Sequence, residues 1–239
     1  MLPSFWFRVS VLALPFLAGP TAGAATLVTG SIEATVSTIT EEGSSTAPAG
    51  VAIGQAATIE FQYDADALFT VASPTARAYR DGIGLNIRVT IGGTVWEGSD
   101  SNGLASVTND GPGGVDRLVY ELYTLSGDPA PVFTSFPNQL TTGTSTSLLS
   151  LVLEDTTPPN ELLSSLELPA DLADLNPSAA TFSFFRIESW DTATGDRYRI
   201  DLATDVGSLT LVPEPRVAVL AGVAFLLVAG RRRRPPVSI

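Results

Sequence analysis

Apolar and polar residues alternate with a period of two along much of the chain. Val28, Ile32, Ala34 and Val36 share one side of a segment whose other side carries Thr29, Ser31, Glu33 and Thr35. Ile59, Phe61 and Tyr63 alternate with Thr58, Glu60 and Gln62, and Leu85, Ile87, Val89 and Ile91 with Asn86, Arg88 and Thr90. Leu118, Tyr120 and Leu122 stand against Arg117 and Glu121, and Leu149, Leu151 and Leu153 follow a Ser/Thr-rich approach. Tyr198, Ile200 and Leu202 alternate with Arg197, Arg199 and Asp201, and Leu209 and Leu211 come last. Successive side chains of a strand point to opposite faces, so each run predicts a strand with one face toward a core. In the run Phe182, Phe184, Phe185, Ile187 the apolar phase changes, which predicts a β-bulge.

Turn formers separate these runs. Glu41 to Gly50 reads as a loop, Gly92-Gly93 as a tight hairpin turn, and Asp110 to Gly114 as a second hairpin. Ser126 to Pro137 and Thr156 to Pro177 read as longer loops, with one short helix over Glu161 to Leu166. No other internal segment has a helical period, and no repeat of 20 to 50 residues is visible. About eight to ten short strands predict an all-β fold, namely a single antiparallel β-sandwich over residues 25–211, with a β-barrel as the alternative.

The two ends have a different pattern. Arg8, the apolar stretch Val9 to Ala18 and the small residues Ala22-Gly23-Ala24 predict a signal peptide over 1–24, cut after Ala24. At the other end, Pro213-Glu214-Pro215 and Arg216 precede the apolar stretch Val217 to Gly230. Arg231, Arg232, Arg233 and Arg234 follow, then a tail over 235–239. As a helix the 14 apolar residues are about 21 Å long, against a bilayer core of about 30 Å, so they form a short transmembrane segment. The four arginines stop transfer on the cytoplasmic side, which puts the β-rich region outside.

This tail over 212–234 resembles the PEP-CTERM sorting signal: a Pro-Glu-Pro motif, a short apolar helix and a basic cluster, in that order. The resemblance implies a bacterial protein exported through the inner membrane by way of signal peptidase. Exosortase, a membrane-embedded cysteine protease, would then act on it. It further implies that Pro213, Glu214 and Pro215 are recognised and the tail removed, leaving the protein at the cell surface or in the extracellular matrix. The sorting family usually accompanies exopolysaccharide production, so exopolysaccharide is an implied partner. Phe61 to Asp64, Tyr79 to Gly92, Asn109-Asp110 with Asp116, and Leu149 to Asp155 followed by Leu168-Pro169 are loosely similar to a β-rich ectodomain recurrent in such proteins. That resemblance supports the fold alone.

Composition narrows the chemistry. The 239 residues include no Cys, no His and no Lys, and all 13 basic residues are Arg. Disulfides, thiolate metal sites, thiol nucleophiles, histidine bases and Schiff bases are thereby excluded. Between the two ends stand seven arginines and 24 acids, a net charge of −17 that disfavours nucleic acid. Carboxylates remain the available acid–base groups: Asp64, Asp66, Glu97, Asp116, Glu121 and Glu188 lie on strands or at strand ends. Two of them across a cleft would suit glycoside hydrolysis, but no motif pairs any two, and a solvated acidic face that gives solubility is the better explanation. No cofactor is required. Calcium is the one candidate, at Asp110 with Asp116 and at Asp191 with Asp196, where acids flank glycine-bearing turns. Trp96 and Trp190, each beside an acid, are candidates for stacking on a sugar. The expectation is a non-enzymatic structural or adhesive component of the matrix or envelope. A carbohydrate- or calcium-binding module is the alternative, and a carboxylate hydrolase the third.

Overall fold

The alternating runs become the two faces of one sheet. A computed structural model describes residues 26–214, apart from 81, 101–102, 125–131, 158 and 160. The expected signal peptide with Ala22 and Ala24, and everything from Pro215 through Arg231 to Arg234 and the tail, lie outside the described residues. Among those described, no helix is long and apolar enough to cross a membrane.

The strands are β1 Leu27–Glu42, β2 Ala56–Asp64, β3 Phe69–Ala72, β4 Ala76–Tyr79, β5 Leu85–Ile91 and β6 Thr94–Asp100. Then come β7 Leu104–Thr108, β8 Asp116–Thr124, β9 Phe133–Ser135, β10 Ser145–Asp155, β11 Phe182–Asp191 and β12 Arg197–Pro213. They form one antiparallel sheet in the order β3-β4-β7-β8-β10-β11-β12-β1-β2-β5-β6-β9. All-β architecture is as expected, but the two-sheet sandwich is not. A single 12-stranded sheet curls into a half-barrel, and among the described residues its edge strands β3 and β9 do not pair with each other, so it is not a closed barrel either. The long central strands account for the difference. β1 and β12 pair along nearly their whole length, with register shifts between Ser31 and Glu33 and between Val36 and Thr38. Such irregularities add twist and let a continuous ladder roll instead of splitting.

Curling brings the inner faces of distant strands together. Phe61 and Tyr63 of β2 pack on Tyr120 of β8 with ring centroids 5.4 and 4.9 Å apart, although five places separate these strands in the sheet. Inner rows cross the sheet in register. Ile32, Ile59, Val89 and Trp96 form one row, and Tyr120, Leu151, Phe185, Leu202 and Val36 another; all are almost fully buried. Each such side chain contributes roughly 1.5–3 kcal/mol by leaving water. Two glycines make space for rings: a Cβ on Gly30 would come within 2.3 Å of Phe61, and one on Gly98 within 2.5 Å of Phe133.

Two local expectations are corrected. β11 contains no bulge, because its register against β10 is continuous from Phe182 to Asp191. The phase change instead puts Phe182 and Phe184 on the outer face and Phe185 and Ile187 on the inner one. No helix forms over 161–166. The carboxylates of Asp155 and Asp116 accept from the backbone N–H groups of Glu161 (3.2 Å) and Leu163 (3.1 Å), which holds the segment open. Leu162, Leu163, Leu168 and Leu175 are buried against the core, and the Tyr79 hydroxyl donates to the Leu166 carbonyl at 2.7 Å.

Candidate functional site

The acidic loops are clasps. Asp116 is fully buried and accepts from the Asp110 N–H at 2.9 Å as well as from Leu163, so it ties the β7–β8 hairpin to the long loop. Asp110 itself takes a positive φ of 52°, the conformation this turn needs. Asp191 is buried at the β11–β12 turn and accepts from the hydroxyls of Thr142 and Thr144, both at 2.5 Å, and from the Ala193 N–H at 2.8 Å. These donors, the Thr142 hydroxyl foremost, lower its pKa to about 2. Asp196 accepts from Ser44 N–H (2.7 Å) and its hydroxyl (3.0 Å), which holds its pKa below the usual carboxylate range. The two pairs do not converge. Asp116 lies opposite Asp155 and Asp191 opposite Ser145, at the two ends of β10, about 34 Å apart at the strand rise. Among the described residues no group of three or more acidic side chains is placed to hold a metal ion.

The tryptophans do not form a platform. Trp96 is wholly buried, opposite Val89 on the inner face, so its assignment as an exposed stacking ring is corrected. Trp190 is half-buried on the outer face, opposite Arg197. Of the candidate carboxylates, Glu188 is buried against Arg197, Glu121 accepts from Ser150 at 3.0 Å, and Asp66 accepts from Thr26 at 2.7 Å. Asp64 accepts from the Asp66 N–H at 2.9 Å. Asp66 borders a hollow between the β2–β3 loop and the long loop, and Glu97 opens onto a groove on the sheet itself.

That groove, about 310 Å³, crosses the outer face of β2, β5 and β6 and ends at Thr134 of β9. Its walls follow from register. Glu60, Arg88 and Glu97 stand side by side across three strands and form one wall. Gln62, Asn86 and Ser99, two residues along, form the other. The floor is the backbone of Phe61, Ile87 and Gly98, whose side-chain positions face the core. The Arg88 guanidinium lies 4.0 Å from Glu60 and 3.9 Å from Glu97, too far for a hydrogen bond to either. Sequence reasoning had Glu97 but not its companions. A signal for them existed, since a two-residue turn at Gly92-Gly93 implies Arg88 opposite Glu97.

Pro213 is the last residue of β12, paired with Val28. A proline is tolerated there because a strand end does not need its missing donor. Glu214 continues the contact: its N–H donates to Leu27 at 2.8 Å, and its carboxylate accepts from Gln62 at 2.8 Å and Thr29 at 3.1 Å. The first two residues of the Pro-Glu-Pro motif are therefore fastened to the sheet. The chain matches no family model, no curated protein and no solved structure.

Proposed function

We propose that this chain is an exported bacterial protein sorted to the cell surface or matrix through a PEP-CTERM signal. Its β domain would serve as a non-enzymatic structural or adhesive component. The observation that carries the reading is the order of Pro213-Glu214-Pro215, the apolar stretch 217–230 and Arg231 to Arg234. The fold is compatible with it. The sheet begins at Leu27, after the N-terminal segment, and ends at Pro213, so it overlaps the 212–234 segment by Val212 and Pro213, which pair with Thr29 and Val28 of the neighbouring β1. Removing the residues beyond the Pro213–Pro215 region would leave every strand in place. In this reading the inner membrane is a transient partner, and signal peptidase and exosortase act on the chain as their substrate.

Mass spectrometry of the protein from its native host tests this. The mature chain should begin near Ala25 and lack the residues beyond the Pro213–Pro215 region. A chain still ending at Ile239 would refute the processing. Replacing Pro213 and Pro215 by Ala should leave the protein in the inner membrane, and unchanged release would count against recognition of the motif.

A further inference from the structure

The groove on β2, β5 and β6 has the chemistry of a ligand site. Its two walls present different groups at a common spacing: carboxylate, guanidinium and carboxylate on one side, and two carboxamides and a hydroxyl on the other. Carboxylates only accept hydrogen bonds and a guanidinium only donates, whereas amides and hydroxyls do both. A partner that uses all of them must both donate and accept at short intervals, as the hydroxyls of a sugar do. Charge narrows the class. Glu60 and Glu97 outnumber Arg88, and Glu214 adds a further negative charge at Gln62. An anionic partner would meet repulsion.

On the charged wall the polar capacity is unspent. On the other wall Asn86 donates to Gln62 and to the Gly84 carbonyl, both at 3.3 Å, and Gln62 donates to Glu214, so those amides offer a ligand only their remaining donors and acceptors. Arg88 is half-exposed and stands beyond hydrogen-bond distance of both acids, unlike Arg186, which donates to Asp201 at 2.9 Å. Thr29 extends the second wall within the groove, and the first row runs past the groove to Ser31 and Ser135. From β2 to β9 the track covers three strand spacings, about 14 Å, which suits a chain better than a single small solute. All the groups sit on strands, so their spacing is preset. We infer that this groove binds a neutral polysaccharide laid across the strands, its hydroxyls bonded to Glu60, Arg88 and Glu97 on one side and to Gln62, Asn86 and Ser99 on the other. The inference needs only the folded sheet and holds whether or not the C-terminal tail is processed.

Affinity electrophoresis tests it. The full-length chain, in a polyoxyethylene detergent that carries no sugar, is run through native gels containing dextran, galactomannan, mixed-linkage β-glucan or the acidic polymer alginate. At least one neutral polymer should retard the protein and alginate should not. Arg88→Ala and Asn86→Ala should each abolish the retardation, while Trp190→Ala should leave it intact. Should either groove variant lose its cooperative melt, Ser99→Tyr, which fills the groove from its solvent side, takes its place with the same expected loss. Retardation by none of the neutral polymers, by alginate alone, or undiminished in folded groove variants would overturn the assignment.

Discussion

Two halves of the outer face use the same residue types to different ends. On β11 and β12, Arg186 donates to Asp201 at 2.9 Å and Arg199 stands 2.9 Å from the other oxygen of that carboxylate. Glu188 takes Arg197, and Arg186 also lies over the Phe184 ring at 5.1 Å. On β2, β5 and β6, Arg88 stands between Glu60 and Glu97 and closes on neither. In both halves opposite charges face each other across the ladder, Arg186 with Asp201 and Glu188 with Arg199 in one, Glu60 with Arg88 and Arg88 with Glu97 in the other. Glu188 nevertheless closes diagonally on Arg197, and Arg199 on Asp201 of its own strand. What differs is cover. Val119 and Val152 are buried on the outer side near Phe184, so charges beside them lose water and must pair. Around Arg88 the neighbours are short and polar, water remains, and pairing gains little. Facing charges become structural only where apolar neighbours dry them, and where they stay wet they remain available to a ligand.

The most destructive way to probe this contrast is Asp201→Ala. It strands two guanidinium groups on the covered half, and urea unfolding should show a loss of about 2–3 kcal/mol, below a fully buried pair because all three groups keep some exposure. A loss no larger than that of an exposed pair would erase the distinction between the halves.

Acid comes next. The Asp191 carboxyl has a folded pKa of about 2 against an ordinary value of 3.8, so its contribution to stability is complete above about pH 4 and fades as pH falls toward 2. Melting temperature followed from pH 5 to pH 2 should fall, and Asp191→Asn should flatten that fall while lowering stability at neutral pH. An unchanged acid profile in the variant would show that the clasp of Thr142 and Thr144 is not what depresses this group.

Much of this was legible in the sequence, and the failures have identifiable causes. Period-two alternation assigned inner and outer faces correctly for β1, β2, β5, β8 and β12, because burial on one side leaves a direct imprint. β3, β4, β7 and β9 are three to five residues long, and strands that short carry too few alternations to stand out. The single sheet was hidden because it depends on β1 meeting β12, a contact about 170 residues apart in the chain. Asp116 and Asp191 were legible as carboxylates at turns, since turn clasps and calcium loops share a vocabulary of Asp and Gly, but their donors Leu163, Thr142 and Thr144 lie 47 to 49 residues away in the chain and left no local signal. Trp96 was a miss that parity could have prevented, since the Gly92-Gly93 turn sets it opposite Val89, an inward position.

On the open half, Arg88→Ala should change stability by less than about 0.5 kcal/mol, as expected for a half-exposed charge whose two carboxylate neighbours stand at 3.9 and 4.0 Å, beyond hydrogen-bond distance. Denaturant unfolding of the purified variant measures it. A loss above about 1 kcal/mol would mean that Arg88 is already engaged in holding the sheet.

The smallest effect tests where the open half meets the chain end. Gln62 belongs to the groove wall, yet its amide also donates to the Glu214 carboxylate at 2.8 Å. Gln62→Ala removes that bond and leaves the Glu214 N–H on Leu27 and the Val28–Pro213 pairing in place. A net hydrogen bond is worth about 1 kcal/mol, roughly a fivefold change in a local opening equilibrium. Amide exchange at Glu214 should therefore quicken about fivefold while the global melting temperature stays put. Equal exchange in the two proteins would mean that the strand pairing alone holds the motif to the sheet. A lowered melting temperature would place Gln62 with the structural charges of β11 and β12 instead of the open groove.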